Sequence, residues 1–119
     1  MKKKSISKRL SKDVYENMTI EQLKYLLVVR GENRRSYTDK IRQLNRTWNN
    51  DLVHSSCQMC GYCKHVELAH LKSIVSYSEN SYLKEINSPD NILVLCPNCH
   101  WEYDNGLLKL EDIPIRNKE

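Results

Sequence analysis

Leu95–Gly106 reads LCPNCHWEYDNG. Cys96 and Cys99 stand two residues apart, and His100 and Asp104 follow at positions i and i+4. A Cys-x2-Cys turn can aim two thiolates at one ion. A His and an Asp one helical turn apart offer a nitrogen and an oxygen on the same helix face. The stretch therefore predicts a metal clip that leads into a helix, with a second, different metal on that helix and a stop at Gly106.

A second Cys-x2-Cys, Cys57 and Cys60, lies upstream. The two pairs make a four-sulfur set that suits a closed tetrahedral Zn²⁺ site, structural because it keeps no open position for a substrate. Two other readings stand beside it. CPNC alone is also the spacing of a redox dithiol, although that chemistry expects a βαβ pattern that the chain does not display. Cys63 makes CGYC an alternative clip, and we read it as a bystander.

The flanking sequence supplies two short apolar runs, KHVELAHL and NILVL, each reading as a strand. The Ser- and Asn-rich residues 72–90 between them allow one helical turn near SYLKEI, so the strands pair across a long connection. LLKLEDI, after the helix, reads as a final strand or a cover. Upstream, Thr19 and Gln22 form a capping box for a helix that ends at Gly31, with Ile20, Leu23 and Leu27 on one face. Ser36 offers the cap of a second helix, along which Tyr37, Ile41, Leu44 and Trp48 recur at helical spacing. NNDLVHSS reads as a loop, and residues 1–18 as a polar, basic lead anchored by Tyr15 and Met18.

Charge divides the chain. Residues 1–50 carry a net charge of +8 and residues 51–119 a net of −4. A basic front half suits a polyanion such as DNA or RNA. Arg34, Arg35, Lys40, Arg42 and Arg46, in or beside the second helix, are the candidate nucleic-acid-binding residues. The 119 residues contain no Phe, a thin supply of core that favours a metal staple. No apolar run is long enough to span a membrane, and no apolar segment follows the basic start as in a secretory signal. The cytoplasm is the expected compartment, where paired cysteines stay reduced.

From Cys57 to Gly106 the chain resembles the HNH nucleases. CQMCGY, HVELAHLKSI and NILVLCPNCHWEYDNG carry the resemblance, which is strongest to small zinc-stapled phage and bacterial members. It implies an α+β fold: a ββα-metal core with a structural zinc over residues 51–119, preceded by a basic N-terminal helical extension over residues 1–50. It implies a metal-dependent endonuclease acting on DNA in the bacterial host cytoplasm. His70 is the implied general base, and Asn91 pins the loop and orients that base. His100 holds a catalytic divalent ion with Asp104, either Mg²⁺ or another metal that accepts imidazole. Many members place a metal ligand just before the base, where this chain has Ala69; Glu67, on the same strand face, is positioned to reach in. His54 and His65 read as incidental, and Trp101 and Tyr103 as core or zinc-side packing.

The chemistry agrees with that resemblance. Phosphodiester hydrolysis needs a base for water and a cation for the charge growing on phosphate, and neutral imidazole suits the first task. One such unit cuts one strand, so a double-strand break needs a homodimer or two encounters. A catalytically inactive zinc-stapled nucleic-acid-binding module is the alternative, favoured by Ala69. A zinc-built protein-interaction domain is a third reading.

Overall fold

The computed structural model describes residues 10–33 and 36–116. Arg34, Arg35 and the leading lysines lie outside the described residues.

Among the described residues, four helices come first. α1 (Lys12–Glu16) is capped by Ser11 and buries Tyr15. This turn of helix arises within the polar lead, where only Tyr15 marks an inward face. α2 (Ile20–Val29) starts on the Thr19–Gln22 capping box, and buries Ile20, Leu23 and Leu27. It ends as Gly31, at a φ of 82° that side chains rarely tolerate, turns the chain away. α3 (Ser36–Trp48) buries Ile41, Leu44 and Asn45. α4 (Asn50–Val53) is a short helix where a loop was expected; Asn49 separates it from α3.

The second half holds β1 (Glu67–His70), α5 (Leu83–Ile86), β2 (Ile92–Leu95) and α6 (Pro97–Asp104). β1 and β2 pair antiparallel, with Glu67 opposite Leu95 and His70 opposite Ile92. The long connection between them carries α5 and two single turns of 3-10 helix, Ile74–Ser76 and Pro89–Asn91. LLKLEDI forms no strand: it contains a 3-10 turn, Leu110–Asp112, after which Ile113 is buried against the strands as a cover.

Two clusters of buried side chains result. The first joins Tyr15, Ile20, Leu23, Leu27, Ile41 and Leu44 of the front half to Ile74, Leu83 and Ile86 of the β1–β2 connection. Backbone bonds stitch the same seam: Ile20 donates to Ser81 at 3.0 Å and Leu83 to Met18 at 2.9 Å. Residues on both sides of position 50 thus share one core. The second cluster contains Val66, Ala69, Leu93, Val94, Leu95 and Ile113 together with Cys57, Cys96 and Cys99. All four residues of β2 are buried. No helix is long and apolar enough to cross a membrane among the described residues.

Candidate metal centre and active site

The two cysteine turns are built alike. Gly61, at a φ of 82°, lets the first turn fold back so that its amide bonds the Cys57 carbonyl at 2.9 Å. The amide of Cys60 then points at the Cys57 sulfur at 3.5 Å, and that of Cys99 at the Cys96 sulfur at 3.4 Å. Gln58 ties the first turn to β2, its amide donating to Val94 O at 2.8 Å and its Oε1 accepting from Val94 N at 2.7 Å. Pro97 opens α6 directly after Cys96, where its missing N–H costs no hydrogen bond.

All four Sγ atoms lie within 4.8 Å of one another, and Cys60 and Cys96 are 3.7 Å apart. A tetrahedral site with metal–sulfur bonds of about 2.3 Å has sulfur–sulfur edges of about 3.8 Å. The cysteines are free, with no disulfide competing for the sulfurs. Burial opposes charge on Cys57, but the amides of Cys60, Cys96 and Met59 outweigh it and bring the thiol down to about 6. Burial and the neighbouring sulfurs push the Cys99 thiol up. The set accepts one negative charge readily and resists the next, so a divalent cation is what holds four thiolates together. The donor set and spacing fit zinc. Cys63 is exposed and outside the cluster.

α6 projects His100 and Asp104 from one side. His100 Nε2 is 3.3 Å from Asp104 Oδ2. Two donors bound at about 2.1 Å and at right angles on one ion stand about 3 Å apart, so this pair fits a shared divalent cation. Glu67, on the face of β1 toward α6, meets the other ring nitrogen: Oε1 is 2.6 Å from His100 Nδ1. Glu67 thus holds the His100 ring by its other nitrogen, as a carboxylate does behind a metal-bound imidazole. His65 Nε2 stands 3.8 Å from the second oxygen of Glu67. Ala69 is buried against the second cluster.

His70 ends β1, half-buried, and alternation sends it to the face opposite Glu67. Its Nε2 is 2.8 Å from Asn87 Oδ1. Burial lowers its pKa from the ordinary 6.5; the Asn87 bond works the other way, and the positive charge of Arg42 lowers it further. Among the described residues, no hydrogen bond or ion pair joins His70 to His100 or Asp104. Asn91 Oδ1 accepts from Lys72 N at 2.8 Å and Nδ2 donates to Ile86 O at 2.9 Å, tying the two ends of the long connection beside His70.

The family can now be read from these parts, because residues 57–111 match the family model described as HNH endonuclease. This segment, a little under half of the chain, is similar to the HNH endonuclease family. It covers both cysteine turns, both strands and α6. No curated protein and no solved structure matches the chain. That similarity is to a family of nucleases, whose substrate is a nucleic acid.

One expectation about packing in the matched segment changes. Trp101 is 59% exposed on α6 instead of packed at the zinc side, because the helix turns Cys99 and Tyr103 toward the second cluster. Lys40 is half-buried, its Nζ 5.0 Å from the Tyr15 ring and 3.1 Å from Gln43 Oε1. Arg42 and Arg46 are exposed one turn apart on α3, Arg42 pairing with Asp39 at 3.2 Å. Asn87 was invisible in the sequence: it sits in a Ser- and Asn-rich stretch that reads as loop, and nothing periodic singles it out.

Proposed function

We propose that this protein is a metal-dependent endonuclease that hydrolyses DNA phosphodiester bonds. The observation that supports this most directly is a half-buried imidazole with a lowered pKa, His70, closing a strand inside the segment that matches the HNH family. His70 takes the proton of the attacking water, and His100 and Asp104 hold a divalent ion. That ion, Mg²⁺ or a metal more tolerant of nitrogen, supplies positive charge for the phosphate and leaving oxygen. Glu67 fixes the His100 ring, and Asn91 fixes the connection beside His70. Arg42 and Arg46, with Lys40 behind them, receive backbone phosphates. His70 and the His100–Asp104 pair bond to different partners, and on this reading the scissile phosphate is the group that brings them into one reaction. Cys57, Cys60, Cys96 and Cys99 would hold a zinc that ties the first cysteine turn to the start of α6.

The alternative is a nucleic-acid-binding module without catalysis. It is favoured by one feature: both ring nitrogens of His100 already have carboxylate partners. Nicking of supercoiled plasmid with Mg²⁺ or Mn²⁺ separates the two. The nuclease reading expects nicking that falls by about 10²–10⁴-fold in His70→Ala and disappears in His100→Ala. Equal rates for wild type and His70→Ala overturn the assignment of the base. Salt-sensitive DNA binding without nicking under either metal selects the alternative.

A further inference from the structure

We propose that Asn87 is the positioning residue of His70: it fixes the ring tautomer so that Nδ1 is the nitrogen that accepts the proton from water. The proposal rests on the reading of His70 as the general base.

The placement of hydrogens is forced step by step. Asn87 is 2% exposed at the end of α5. Its Nδ2 lies 3.0 Å from the backbone carbonyl oxygen of Ile41 on α3. A carbonyl only accepts, so the amide must present its NH₂ group there. The opposite end of the amide, Oδ1, therefore faces His70 Nε2 at 2.8 Å. Oδ1 also only accepts, so Nε2 must carry the hydrogen. In a neutral imidazole the lone pair is then on Nδ1. Among the described residues no group bonds Nδ1, and no side-chain nitrogen or oxygen is both fully buried and unpartnered, so Nδ1 keeps some exposure to solvent. A free lone pair on the open nitrogen is what a base for water requires.

Asn87 is itself held. Asn49 Nδ2 donates to the Asn87 backbone carbonyl at 2.9 Å and to Asn45 Oδ1 at 2.7 Å. Asn45, Asn49 and Asn87 are the three buried polar residues among those described, and they form one chain of bonds from α3 to His70. Buried amides are costly unless fully bonded. Their concentration behind one half-buried ring is explained by orientation better than by packing, which apolar residues would serve equally well.

The decisive measurement is the tautomer of His70 in the zinc-loaded wild-type protein, read above its pKa by long-range ¹H–¹⁵N correlation, with His70→Ala identifying its signals. The expected result is a protonated Nε2 and an unprotonated Nδ1. The opposite tautomer, or the averaged signals of a free imidazole, overturns the proposal whatever the activity. In parallel, Asn87→Ala is expected to lower the single-turnover nicking rate by about tenfold or more, with DNA affinity unchanged and the tautomer signals averaged. An Asn87→Ala protein that keeps the wild-type rate and tautomer also overturns it. If this variant does not fold, the wild-type tautomer decides alone. Equal nicking by His70→Ala and wild type defeats the underlying assignment of the base, whereas a dead His70→Ala beside a fully active Asn87→Ala defeats only the role of Asn87.

Discussion

Removal of the four-sulfur ion should divide the molecule along its two cores. The second cluster contains five large aliphatic side chains, Val66, Leu93, Val94, Leu95 and Ile113. At about 1.5–3 kcal/mol each, their burial supplies about 8–15 kcal/mol. Coordination of zinc by a four-ligand site contributes about 10–16 kcal/mol at neutral pH. The two terms are of similar size, so chelation removes about half of what joins β1, β2 and α6. The first cluster has no cysteine in it, and its helices keep their own apolar contacts. Amide hydrogen exchange in a strong chelator is the assay. Protection is expected to collapse across Glu67–His70, Ile92–Leu95 and Pro97–Asp104, and to persist across Ile20–Val29. Cys99→Ser should show the same pattern without chelator. Strands that keep full protection in protein shown to be free of metal would refute a structural role for the ion.

Two further outcomes are expected. Because His70 has a lowered pKa in the folded protein, the unfolded chain binds more protons between that value and 6.5. Its contribution to stability is thus complete above 6.5 and lost as pH falls toward the folded value. The acid limb of the nicking pH profile lies below 6.5 for the same reason, and Arg42→Gln moves it upward; a limb above 6.5 contradicts this. In DNA binding, Arg42→Gln and Arg46→Gln each reduce the slope of log affinity against log salt by about one. Lys40→Gln changes it less, since that ammonium already sits over Tyr15; unchanged slopes for both arginine variants remove α3 from the interface.

Much of this arrangement is legible in the residues. The Thr19–Gln22 capping box, the apolar spacing of α2 and α3, and the Gly31 and Gly106 stops are local signals with local causes, and the structure keeps them. The two strands arise from short apolar runs bounded by polar residues. Elements that depend on distant partners are harder to read. α1 has a single buried side chain, and Tyr15 becomes an inward face only because α3 and α5 exist to receive it. α4 is four residues long and buries none of them fully, so its sequence resembles any polar loop. At the site, spacing alone marks the cysteines, His100 and Asp104, since their geometry is set within one turn. The meeting of Glu67 with His100 needs the strand register and the packing of α6. Asn87 needs more: its partner carbonyl is on a helix 46 residues upstream, a separation that no sequence pattern encodes.

The core shared across position 50 has a consequence for how such a chain changes over time. The front helices are not a detachable head that can be exchanged for one with other tastes in nucleic acid, because their inward sides complete the interior around Ile74, Leu83 and Ile86. Under the proposed role of Arg42 and Arg46, a shift in preference has room on the outward side of α3 while the opposite side stays fixed. The proposed phosphate contacts and the structural integrity would then occupy two sides of the same thirteen-residue helix.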